Sequence, residues 1–198
     1  MPRIHSLNKS TIRDIDKLIA IEAKYQSSLS SEREALELAI EYTFLSGYKA
    51  WEIFLESVFV SQSRYNDPVS GKRLFPYLAP RTEAHAHDII KLEKRYVDWT
   101  DPEAVISRAD ILFRNSKIIT GPIKSSMQDL RDAKRVRNYI AHGSGESNRL
   151  FQDLCIKRLG RKSKTAGEFL QSTPAGKTTH YAVYYLHKFR DLVCNISQ

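Results

Sequence analysis

The sequence predicts an all-α fold, and three observations carry that prediction. Apolar residues recur at spacings of three and four along most of the chain. Alternation of period two is nearly absent. Cap residues, first-turn prolines and trailing glycines punctuate the chain at helix-sized intervals. The stretch 165–183 is the one place where a short strand pair would also fit.

Taken in order, Ile12, Ile15, Leu18, Ile19 and Ala23 mark an amphipathic helix from Thr11 to about Gln26. A serine-rich loop follows, and Ser31 with Glu34 three residues on forms a capping-box signature. It opens a long helix whose apolar face is Leu36, Ile40, Phe44, Trp51, Leu55 and Phe59. Gly47 interrupts that face, as a glycine does where a second helix passes close by. Asn66-Asp67-Pro68 and Ser70-Gly71 read as turns, and Pro76 and Pro80 confine any helix there to short pieces. Arg81 to Tyr96 reads as a helix. Thr100-Asp101-Pro102-Glu103 combines a cap, a proline at the first helical position and an acid in the first turn. Val105, Ile106, Ala109, Leu112 and Phe113 carry that helix to about Lys117, where Gly121-Pro122 ends it. The next helix is expected from Ile123 to His142, stopped by Gly143-Ser144-Gly145. A short basic helix over 147–159, a mixed stretch over 160–177 and a last helix over 178–196 complete the chain. Tyr181, Tyr185, Phe189, Leu192, Val193 and Ile196 form the inward face of that last helix.

The bulk properties bound what such a fold can be. A chain of 198 residues fits one domain, 1–198. Its 41% hydrophobic and 27% charged content supports a real core and excludes wholesale disorder. No apolar run approaches the about 18 residues of a membrane-spanning helix. Met1 to Ser10 lacks the apolar segment of a signal peptide, and two cysteines, Cys155 and Cys194, make no disulfide framework. The expected compartment is the reducing cytoplasm. Ordinary packing is the expected role of both cysteines.

The net charge of +8 points to a polyanionic partner. Residues 131–164 hold ten basic residues against three acids, a balance of +7 that accounts for nearly all of it. The plain reading of such a run is a solvated face. One member stands apart. Along Ile123–His142 the apolar stripe runs Ile123, Met127, Leu130, Ala133, Ile140 and Ala141, and Arg137 falls within it. An inward guanidinium needs a carboxylate or an anionic ligand. Glu52 or Glu56 of the long helix would serve for the first; a phosphate would serve for the second. His142 closes the same helix. Asn138 and His142 are four apart and share a face, whereas Arg137 lies about 140° round on an ideal helix. Arg137 can still converge with His142, because its side chain is long and a last turn can unwind. A helix C-terminus stabilises an imidazolium, and histidine is the side chain suited to give and take a proton near neutrality.

Arg137-Asn138-Tyr139-Ile140-Ala141-His142 resembles the Arg-x4-6-His motif of the HEPN family (higher eukaryotes and prokaryotes nucleotide-binding domain), in its Arg-Asn-x-x-x-His form. The likeness extends over Leu130 to Val136 before the motif and Gly143-Ser144 after it. The long helix with Trp51, Glu52 and Glu56 looks like the second helix of that family. Gly167-Glu168-Phe169-Leu170 and the aromatic last helix resemble its RiboL-PSP and MAE-type branches. The resemblance implies a HEPN-like bundle of four to five main helices with short accessory ones. It implies a metal-independent endoribonuclease, with no cofactor, in which RNA supplies its own 2′-hydroxyl nucleophile; DNA lacks that group. His142 would handle protons, Arg137 would neutralise charge at phosphorus, and Asn138 would orient the phosphate. Glu52 and Glu56 would support them, and Arg131, Lys134, Arg135, Arg149, Lys157 and Arg158 would hold the RNA backbone. The family context implies a homodimer, a toxin or antiphage effector and a cognate antitoxin protein, or alternatively a non-catalytic RNA-binding or scaffold module.

Other features carry less. His85-Ala86-His87-Asp88 reads as a solvated loop rather than a metal site. Tyr181, Tyr184 and Tyr185 could stack bases, but their helical spacing favours the core. No phosphate-cradling glycine loop is present to support nucleoside-triphosphate hydrolysis.

Overall fold

The computed structural model describes residues 4–65, 74–92 and 95–197. They form nine helices: α1 (Ile4–Ser28), α2 (Arg33–Tyr65), α3 (Glu83–Lys91), α4 (Pro102–Leu112), α5 (Lys117–Ser125), α6 (Met127–His142), α7 (Gly145–Leu159), α8 (Ala166–Gln171) and α9 (Tyr181–Ser197). No strand occurs among the described residues, so the fold is all-α; an isolated antiparallel bridge joins Pro76 and Phe113. Residues 165–183 hold α8 and the start of α9, not a strand pair. The turns expected at Asn66-Asp67-Pro68 and Ser70-Gly71 lie outside the described residues. No described helix is long and apolar enough to cross a membrane.

Several boundaries differ from expectation for identifiable reasons. α1 begins before Thr11, because the Ser10 and Thr11 hydroxyls both donate to the Leu7 carbonyl and sit inside the helix rather than capping it. The carbonyl that opens α2 belongs to Glu32, which accepts from the Leu36 amide, so Ser31 lies one residue outside the cap. α3 is shorter than predicted, capped by Thr82 and ended at Leu92, whose φ is +54°. The start of α4 is as the sequence predicts: the Asp101 carboxylate accepts from the Glu103 and Ala104 amides, and Pro102 is the first residue. Its end is earlier. Phe113 leaves the helix in an extended conformation, the Arg114 amide donates to the Phe75 carbonyl, and the Tyr77 amide donates to that of Leu112. Gly121-Pro122 does not break the chain but lies within α5. The break comes at Ser126, whose carbonyl then accepts from Leu130 as α6 begins.

The helices gather into two compact units. One comprises the described residues of Met1–Ile12, Ala50–Leu130 and Arg190–Gln198; the other comprises Arg13–Lys49 and Arg131–Phe189. In the first, Phe59 is fully buried and packs edge-on against Trp99, at 5.0 Å between ring centres, and Phe113, at 5.6 Å. Burying the Phe59 and Phe113 rings contributes about 1.5–3 kcal/mol each.

In the second unit α9 crosses α2 at Gly47, where an added Cβ would lie 2.1 Å from Leu186 Cδ2. The close passage expected at this glycine is therefore present. Phe44 meets Tyr185 and Tyr48 meets Phe189 on either side of it, at 5.7 and 5.2 Å. An aromatic column then ties the remaining helices together. Tyr139 of α6 stacks on Phe151 of α7 at 4.2 Å, Phe151 meets Phe169 of α8 at 5.8 Å, and Phe169 stacks on Tyr181 of α9 at 4.5 Å. Tyr181 and Tyr185 are thus core residues.

Between α7 and α8, Glu168 acts as a hub. It accepts from the Arg161 guanidinium at 2.7 Å, the Lys164 amide at 2.8 Å and the Ser163 hydroxyl at 3.0 Å. The hydrogen bond from Arg161 and then that from the Lys164 amide hold its carboxyl down to about 2, against the opposing effect of burial. A carboxyl whose pKa falls on folding stabilises the fold fully above its unfolded value of about 4.3, and loses that contribution as pH drops through the folded value. The thermal midpoint is therefore expected to fall between about pH 4.5 and 2. Glu168→Gln should start lower at neutral pH and decline less steeply over that window; parallel curves for the two proteins would refute it.

Candidate active site

α6 ends because the chain has a glycine where a left-handed turn is needed. Gly143 takes φ +56° and its amide donates to the Tyr139 carbonyl, while Ser144 caps α7 through the Ser147 amide. This puts His142 on the last turn, with its side chain in solvent. The inward stripe of α6 is not the one expected. Leu130 and Ala133 are buried, but the buried face then swings to Asp132 and Val136, leaving Arg137 half-buried and Ala141 exposed.

Arg137, Asn138 and His142 come together. Arg137 Nη1 lies 3.3 Å from Asn138 Oδ1 and 3.3 Å from His142 Nε2. A guanidinium has donors only, so this contact requires Nε2 to accept. In the tautomer that carries its proton on Nδ1, the ring turns a lone pair at Nε2 toward the guanidinium. That is the arrangement of a base next to an anion-binding cation. All three side chains can reach solvent.

Glu52 and Glu56 belong to the other unit. Glu52 is half-buried on α2, and Glu56 Oε1 lies 3.4 Å from His87 Nδ1. The sequence His85 to Asp88 is part of α3, not a loop. No group of three or more metal-binding side chains occurs among the described residues. Burial pushes the Cys155 thiol up to about 11, which removes it as a nucleophile near neutral pH.

The basic residues divide by their partners. Asp132 is fully buried, and Arg158 bonds one of its oxygens through Nε at 2.8 Å and Nη2 at 2.5 Å. Burial alone would lower the Arg158 pKa, but the hydrogen bond and charge of Asp132 outweigh it and raise it. Arg135 approaches the other Asp132 oxygen at 4.0 Å. Arg149 bridges Glu146 and Asp153 on the surface of α7. Solvent screens such exposed pairs, and they exchange readily for another anion. Arg131 and Lys157 are exposed and Lys134 is half-buried.

Two participants went unremarked in the sequence. Asp132 looks like one acid among many bases; its spacing of four from Val136 was the available signal. Tyr139 sits inside the motif, and only its stack on Phe151 reveals its role. The chain matches no protein-family model, no curated protein and no solved structure.

Proposed function

We propose that this chain is a metal-independent endoribonuclease of the HEPN type, working as a homodimer in a toxin or antiphage-defence setting, under the control of a cognate antitoxin protein. The observation that carries the reading is the contact of Arg137 with His142 Nε2 on an exposed helix end, within the stretch that holds +7 of the chain's +8 charge. The chemistry it supports is self-cleavage of RNA. His142 Nε2 takes the proton of a ribose 2′-hydroxyl, and the 2′-oxygen attacks the adjacent phosphorus. The bond to the 5′-oxygen breaks, leaving a 2′,3′-cyclic phosphate and a 5′-hydroxyl. Arg137 offsets the charge that builds on the phosphoryl oxygens, and Asn138 helps orient them. Pairing two copies would bring two His142 side chains into one cleft, one to accept the 2′-proton and one to protonate the leaving oxygen.

The test is incubation of the purified protein with labelled RNA and with DNA of the same sequence, in chelator. The expected result is cleavage of RNA alone, with cyclic phosphate ends. Binding that weakens steeply with salt but yields no cleavage would instead identify a non-catalytic RNA-binding module.

A further inference from the structure

The loop between α7 and α8 is built more rigidly than a connecting segment needs to be. Gly160, at φ +71°, turns the chain out of α7. Gln152 then holds Ser163 from both sides, donating to its carbonyl at 2.8 Å and accepting from its amide at 3.3 Å. Ser163 is buried, and Glu168 fixes it and Lys164 from below. The Tyr139 hydroxyl reaches the Lys164 carbonyl at 3.5 Å. The backbone amide and carbonyl of both Ser163 and Lys164 are therefore tied, yet the side chains of Lys162 and Lys164 are exposed. Arg161, by contrast, is drawn onto Glu168.

The position of this loop relative to His142 follows from α6. Tyr139 is three residues before His142, about 60° round the helix on one side; Asn138 and Arg137 lie on the other. On an ideal helix, Arg137 and the Tyr139 that reaches the loop therefore lie on opposite sides of His142.

We propose that the loop at residues 160–165 is a second backbone grip for single-stranded RNA, in which Lys162 and Lys164 bind phosphates next to the one at His142. The inference rests on the ribonuclease reading for what lies at His142, and it sets the path of the RNA across the end of α6 from Arg137 to Lys164. Lysine suits the role because a phosphate contact that positions the chain without reading bases needs a point charge, not a fork. A loop already fixed in place loses little freedom when it binds.

The experiment uses the His142→Ala protein, which leaves the RNA intact, and a labelled single-stranded RNA oligomer titrated over a range of salt concentrations. Each phosphate contact to a single strand contributes about 0.7 to the slope of log affinity against log salt, so Lys162→Gln with Lys164→Gln should reduce that slope by about 1.4 and weaken binding. Lys17→Gln with Lys24→Gln, which removes the same charge from the exposed face of α1, should leave it unchanged. In the catalytically intact protein the loop variant should raise KM and leave kcat alone. An unchanged slope in the loop variant, an equal loss in the α1 variant, or a fall in kcat with KM unaltered would each overturn the proposal. A protein that binds RNA with the expected slope changes but never cuts it would sink the ribonuclease reading and leave the grip standing.

Discussion

Alanine in place of His142 is expected to slow RNA cleavage by about a hundred- to ten-thousand-fold, the range a positioned acid–base group supplies. Alanine at Arg137 should cost about a hundred- to a thousand-fold, as loss of a donor aimed at developing phosphoryl charge does. The two effects should not multiply. The side chains touch at 3.3 Å, so each single change already disturbs the other's placement, and the double variant should lose less than the product of the single losses. Arg137→Lys should recover only part of the activity, because an ammonium keeps the charge but cannot span Asn138, His142 and a phosphate with a planar fork. His142 is exposed, so its replacement should move the thermal midpoint by no more than about 1–2 °C. Measured as single-turnover cleavage beside a thermal melt, full activity in both single variants would end the ribonuclease reading. Lost activity with a lowered melting point would assign the effect to folding instead.

The elements that could be read in the sequence are those whose signals are local. α2 and α9 carry long apolar faces, Asp101-Pro102 is a start written in adjacent residues, and Gly143 is a stop needed at its own position. The elements misread are those set by distant partners. α4 stops at Leu112 because residues 75–77 pair with 112–114, which periodicity within α4 cannot show. Pro122 does not end α5, since a helix can continue past one missing donor where its faces are buried, as Ile119 and Ile123 are. The site divides in the same way. Arg137, Asn138 and His142 were legible as a linear motif, though their meeting depends on side-chain reach across some 140° of helix. The pairing of Arg149 with Glu146 and Asp153, at spacings of three and four, could have been read directly. The pairing of Arg158 with Asp132 spans 26 residues and depends on α7 packing beside α6.

Gly167→Ala is expected to destabilise the protein by about 3 kcal/mol or more, against the usual direction of such a change. Within a helix alanine is normally favoured over glycine by about 1 kcal/mol. Gly167 is the second residue of α8, and nothing in its backbone conformation demands glycine. Contact decides the sign. A Cβ there would lie 2.5 Å from Glu37 Cβ, 2.7 Å from Glu37 Cα and 2.9 Å from the Glu37 carbonyl oxygen. Two of those atoms are backbone of α2, so no rotamer change relieves the overlap and α8 must move away. Moving it breaks the bond from the Gly167 amide to Glu41 Oε1 at 2.7 Å and that from the Thr165 hydroxyl to Glu37 Oε2 at 2.5 Å. Glu41 would suffer most: burial already raises its pKa, and the Gly167 amide is the group that counters the rise. Phe169 would also leave its place between Phe151 and Tyr181. Gly47→Ala makes the informative comparison. Its clash, at 2.1 Å, is shorter, but it is with Leu186 Cδ2, the tip of a side chain that can turn, so the cost should be the smaller about 1–3 kcal/mol of an overpacked core. For a chain of this size the Gly167 effect corresponds to a fall in thermal midpoint of about 6–12 °C. A Gly167→Ala protein as stable as its parent, or one less affected than Gly47→Ala, would mean that α8 does not rest on the backbone of α2.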